Sequence, residues 1–165
     1  MSENKLNQNI KEKAAILLAK DKLNTFLDFY NFINNNKLGK GKTGKNTWAI
    51  KYKNKRIGSF RLHENSWSIR FFDLFDRNKW FEKCEKHLTA DIKKFILANI
   101  NTTSGCCIKG TCHSAENRII LGKTFRERVC ACGPVFLSSP EDQTLEYAKE
   151  LALMGKKIIA ETAIK

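Results

Sequence analysis

Five of the six cysteines in this 165-residue chain, Cys106, Cys107, Cys112, Cys130 and Cys132, fall in one short stretch. Evenly scattered, six cysteines would put about one there. Thiolate sulfur is both a soft metal ligand and a nucleophile, so the residue type points to metal binding or thiol exchange. Two cysteine-bearing turns, residues 104–113 and 129–134, bracket a strand-like insert at residues 118–123, as in many small zinc modules. A closed structural Zn2+ site would draw on Cys107, Cys112, Cys130 and Cys132, with Cys106 competing as first ligand. The spacing is not that of paired C-x-x-C knuckles, because four residues separate Cys107 from Cys112 and one separates Cys130 from Cys132. Four thiolates leave the same formal charge on Zn2+ as on an oxidised four-iron cluster. Lys109, Arg118, Lys123, Arg126 and Arg128 could offset either, so an iron–sulfur cluster stands as the alternative cofactor.

Catalysis would have to use these same thiols. Arg126 and Arg128 could lower the pKa of Cys130 or Cys132, with the other thiol resolving the product. His63, His87 and His113 are dispersed, and no carboxylate pair or nucleophile motif stands beside them, so the chain reads as a binding module rather than an enzyme. Cys84 and His87, three residues apart, could share a helical face as ligands. Among apolar neighbours, though, Cys84 fits better as a small buried hydrophobe.

Charge supplies the second functional signal. Thirty Lys and Arg against seventeen Asp and Glu give a net charge of +13, which makes nucleic acid or another polyanion the candidate partner. A Lys-rich solvated surface would give the same total, so the distribution matters more. Between Phe29 and His63 there is no acidic residue. Within that stretch, Gly39 to Asn46 nearly spells a nucleotide-binding P-loop, but Asn46 replaces the magnesium-binding hydroxyl. A helix precedes and a strand follows, the reverse of P-loop order, so these residues are expected to be a basic connector.

The elements that must position these groups read as α+β. Leu6, Ile10, Ala14 and Leu17, then Leu23, Phe26, Leu27, Tyr30 and Ile33, recur at helical spacing over 6–35, in one helix or in two broken near Asp21. Residues 47–72 alternate as a three-stranded antiparallel meander. A loop through Arg56 would align Tyr52 with Gly58, Ile50 with Phe60 and Trp48 with Leu62, and a turn from His63 to Ser66 would set Leu62 against Trp67 and Phe60 against Ile69. The opposite face then shows Lys51, Lys53, Ser59, Arg61, Ser68 and Arg70, a nucleic-acid-binding platform built on Lys51, Lys53, Arg61 and Arg70. Phe72 is its one clear aromatic for base stacking.

Helices are expected over 78–100, the second capped by Thr89. A last helix is expected from Pro140, capped by Ser139 and closed by Gly155, with Ile158 and Ile159 in a tail that adds a strand or packs. The chain divides into an α+β body, 1–103, and a cysteine-rich segment with its C-terminal helix, 104–165, packed on the body as one domain. Its start shows no apolar leader and no run suits a membrane span, so the expectation is a soluble cytoplasmic protein with reduced thiols.

The run from Cys106 to Cys112, followed by Ile120-Leu121-Gly122-Lys123, Phe125, Val129-Cys130 and a Pro140-led helix, resembles a group of small uncharacterised bacterial proteins with a C-terminal cysteine segment. In that group a cysteine triplet precedes the Gly-Lys and another cysteine follows; here Lys109 stands where the middle cysteine would fall. The helix-plus-meander half is similar in architecture to small α+β modules of the TfoX and YjbR type. Neither resemblance implies a known activity.

Overall fold

The computed structural model describes residues 3–71, 79–102, 116–129 and 134–162. Two amphipathic helices open the chain: α1 (Glu3–Leu17) and α2 (Lys20–Asn35), separated where Ala19 turns extended. Their inward stripes, Ile10 and Ala14 on α1 and Phe26, Phe29, Tyr30 and Ile33 on α2, are fully buried. The end of α2 is closed by a left-handed residue, Lys37 (φ 55°). The Leu38 and Lys37 amides bond back to the carbonyls of Ile33 and Asn34 at 3.0 Å, and Leu38 is buried like Ile33. This is the six-to-one and five-to-two closure with its apolar clasp.

The expected basic connector is instead a strand. β1 (Gly39–Gly44) pairs antiparallel with β2 (Thr47–Tyr52), Gly41 opposite Ala49 and Lys40 opposite Ile50. It carries no apolar alternation because it is an edge strand, and lysines and glycines on an edge discourage pairing with other chains. Asn46 sits in the turn after it, before a strand rather than a helix.

β2 and β3 (Lys55–His63) are joined by a two-residue turn, Lys53 and Asn54, both left-handed (φ 45° and 62°), which sets Tyr52 opposite Lys55. A bulge then shifts the register, so that Ile50 faces Gly58 and Trp48 faces Phe60. The expected register was therefore two residues off, although the same side chains are buried because the error is even. The extra residue at the bulge corrects the parity that the short turn alone would have reversed. β3 pairs with β4 (Ser66–Phe71) as expected, Phe60 opposite Ile69 and Leu62 opposite Trp67.

The sheet has five strands, in the order β1-β2-β3-β4-β7, all antiparallel. β7 (Val135–Ser138), absent from the meander expectation, aligns Phe71 with Val135 and Ser68 with Ser138. α3 (Lys79–Glu85) and α4 (Ala90–Ala98) lie between β4 and the remaining strands in sequence, and Thr89 caps α4 by accepting the Ile92 amide. β5 (Glu116–Ile120) and β6 (Lys123–Val129) form a hairpin about Leu121 and Gly122, so the strand-like insert is a pair of strands.

α5 (Asp142–Thr162) runs on through Gly155, Ile158 and Ile159, all buried. Ser139 does not cap it. Its hydroxyl accepts the Trp67 amide at 3.1 Å and its own amide reaches the Trp67 carbonyl at 2.6 Å, fastening the loop to β4. The Thr144 hydroxyl serves the helix start, accepting the Glu141 amide at 2.9 Å.

One face of the sheet packs on α1, α2 and α5. Phe26 sits edge-on to Phe60 and Trp67, with centroids 5.7 and 5.4 Å apart, and Trp48 stacks on Phe60 at 5.5 Å. Gly155 does not end α5 but lets it approach β3: a Cβ there would stand 2.3 Å from Ile57 Cγ2. Gly155→Ala is therefore expected to lower stability by about 1–3 kcal/mol through overpacking, against the gain of about 1 kcal/mol that alanine brings to a helix interior. Chemical denaturation of Gly155→Ala alone and combined with Ile57→Ala checks this; the pair should be less destabilised than the sum of the single changes.

Candidate nucleic-acid interface

Because strand side chains alternate, burial of Trp48, Ile50, Phe60, Ile69 and Phe71 on the helical side leaves Ala49, Lys51, Ser59, Arg61, His63, Ser68, Arg70 and Phe136 on the other. Gly41, Ala49, Ser59, Arg70 and Phe136 stand in register across all five strands. Arg61 is exposed, whereas Lys51, His63 and Arg70 are half-buried. Lys51 lies across the bare Gly41, whose Cβ would come 3.0 Å from the ammonium nitrogen. Ala49, Ser59 and Ser68 on this face are buried. None of the five strands carries a carboxylate.

His63 reports the field on this face. Its Nε2 lies 3.2 Å from the Ser68 hydroxyl. Burial holds its pKa below the ordinary histidine value, and the nearby guanidinium groups of Arg61 and Arg70 push it further down. Three of the four expected cations, Lys51, Arg61 and Arg70, share one face with His63. Lys53 does not join them: it occupies the β2–β3 turn, where its ammonium lies 5.8 Å from the Tyr52 ring.

Phe136 escaped the sequence reading. Arg70 lies over its ring, 5.3 Å from the centroid. The available signal was the short run Val135-Phe136-Leu137-Ser138 after Gly133-Pro134, whose partner strand lies more than sixty residues earlier. Phe72, expected as the aromatic of this face, lies outside the described residues.

Cys106, Cys107, Cys112, Cys130, Cys132 and His113 also lie outside the described residues. Cys84 is fully buried on α3, its thiol donating to the Phe81 carbonyl at 3.3 Å, and burial pushes its pKa up to about 12. It is an inert core residue. His87 instead approaches Glu161 of α5, at 3.4 Å, beside Lys86 at 3.3 Å from the same carboxylate. Among the described residues no group of three His, Cys, Asp or Glu side chains could hold a metal ion.

The described ends of the chain that border the cysteine stretches converge. Thr102 bridges Val129, which also pairs with Glu116. Ile100 bridges Val135, and the Asn101 amide donates to the Pro134 carbonyl at 2.7 Å. Residues 99–102 thereby link the β5–β6 hairpin to the edge of the main sheet.

No family model matches the chain, and comparison with curated proteins and with solved structures finds no match to it. Among the described residues no helix is long and apolar enough to cross a membrane.

The histidine environment has a measurable consequence. A depressed folded-state pKa means the unfolded chain binds the proton more readily, so the contribution of His63 to stability is complete above pH about 6.5 and is lost as pH falls toward the folded value. An NMR titration of the imidazole should give a pKa below 6.5. Arg61→Gln and Arg70→Gln should each move it partway back, since burial remains; no movement in either variant would contradict the proposed field.

Proposed function

We propose that this protein is a nucleic-acid-binding module that holds a phosphate backbone on the sheet face opposite its helices. The carrying observation is the carboxylate-free sheet on which Lys51, Arg61 and Arg70 stand together. Guanidinium groups suit phosphate because their planar donors can bind two oxygens at once. Arg61 and Arg70 add to the burial that holds the His63 pKa down, so an approaching anion meets a positive potential on this face.

Three phosphate contacts give a definite salt dependence. The slope of log affinity against log salt should be about −2 to −3, at roughly 0.7–0.9 per contact. Charge reversal at Lys51, Arg61 and Arg70 together should cost more than tenfold at low salt and flatten that slope, with the circular dichroism spectrum unchanged. Failure of the unaltered protein to bind nucleic acid at low salt would remove the proposal.

A metal-thiolate role is supported by a separate observation, the convergence of Thr102, Glu116, Val129 and Pro134. Cys130 directly follows Val129, and Cys106, Cys107, Cys112 and Cys132 are each five or fewer residues along the chain from one of these anchors. A structural Zn2+ held by four of them suits this donor set, with an iron–sulfur cluster as the alternative occupant. In this role the metal would tie the cysteine segments to the sheet edge and supply folding energy. Protein purified without added metal should contain about one equivalent of zinc, or iron in the cluster case, and a chelator should lower its melting temperature. Well-folded metal-free protein would exclude both cofactors. Rapid labelling of Cys130 or Cys132 below pH 7 in such protein would favour thiol chemistry instead.

A further inference from the structure

We propose that the nucleic acid taken by this face is single-stranded, with the Arg70–Phe136 cation–π pair forming the platform for an unpaired base. This rests on the phosphate-binding role above and specifies its ligand.

Shape argues against a duplex read through its groove. Five strands at about 4.8 Å spacing make a face about 19 Å wide, whereas the major groove of B-form DNA is about 12 Å across. The face cannot enter it as a two-stranded ribbon does. Nor, among the described residues, does it present a projecting element: Ala49 and Ser59 on β2 and β3 stand in register with Gly41 on the edge strand. A duplex would touch only the cations, and its base faces are hidden in the stack.

A single strand offers both kinds of group. Its phosphates can meet Arg61 and Lys51 while its bases are free to turn toward the sheet. At the β4–β7 end, Arg70 lies over the Phe136 ring at 5.3 Å, a planar cation on an aromatic face. Among the described residues Phe136 is the aromatic of this face, and it stands in register with the small residues of β1, β2 and β3. Bases stack on guanidinium planes and on aromatic rings alike, with little sequence preference because every base has a π-face. Phosphate contacts and a stacking platform on one surface are the two components that single-strand binding needs.

The test compares three fluorescent probes of equal length, about 12 nucleotides, at low salt: a single strand, the same backbone without bases, and a duplex. The single strand should bind about tenfold or more tighter than the abasic strand. Phe136→Ala should bring single-strand affinity down toward the abasic level while changing abasic and duplex binding, carried by Lys51, Arg61 and Arg70, by less than about twofold. Phe136→Leu, which keeps most of the apolar volume, should give the same selective loss and controls for misfolding. Equal affinity for single and abasic strands, or an equal loss on all three probes in both variants, overturns the stacking assignment alone. If none of the probes binds, the phosphate-binding role itself fails.

Discussion

Seating of the sheet's apolar face on α2 is the interaction on which the rest of the structure depends. Phe26 and Phe29 meet Trp67, and Phe26 also meets Phe60, which in turn stacks on Trp48. Each such side chain contributes on the order of 1.5–3 kcal/mol by leaving water, and the favourable ring geometries add up to about another 1.5 kcal/mol per pair. Surface ion pairs such as Lys149 with Asp28 and Glu146 contribute about 0–1 kcal/mol each. Aromatic burial therefore decides how the sheet sits. Once those rings face the helices, the pleat leaves no choice about the other face: Arg61, flanked by Phe60 and Leu62, must point away, as must Arg70, flanked by Ile69 and Phe71.

Two local devices keep that alternation intact. The turn at Lys53 and Asn54 is shorter than the side-chain pattern alone requires, and the bulge after it restores the phase so that Gly58 and Phe60, not Ile57 and Ser59, oppose Ile50 and Trp48 of β2. Ile57 at the bulge then receives α5 at Gly155, while Gly58 allows β4 to approach so closely that a Cβ would lie 2.4 Å from the Arg70 carbonyl oxygen. Packing of the C-terminal helix and aim of the basic face thus meet at adjacent residues of one strand.

The contrast between the two signals in the chain follows from where each lies. The basic groups Arg61 and Arg70 sit on strands whose register is fixed by the core, so their shared face and their effect on His63 follow from the fold. Thiols sit beyond the paired ends Thr102, Glu116, Val129 and Pro134, where the fold supplies a common anchorage. A metal could draw its ligands from both sides of that anchorage, which would make the cysteine segments an extension of the sheet edge.

Much was legible in the chain itself. Helical periodicity marked α1, α2 and α4, Thr89 marked a cap, and period-two alternation marked β2 to β4 with the correct β3–β4 register, because each depends on residues close in sequence. That Arg61 and Arg70 share a face followed from the same alternation. Tertiary structure alone decided what depends on distant partners. Polar β1 became a strand only by pairing with β2; the four residues of β7 joined the sheet only because β4 offered an edge; and Gly155, a plausible helix end by composition, proved to be a point of close approach to Ile57. With β7 came Phe136, set beneath Arg70 by a pairing no local pattern encodes. Local propensity fixes which faces are apolar or basic, but long-range hydrogen bonding and packing decide which strands share them.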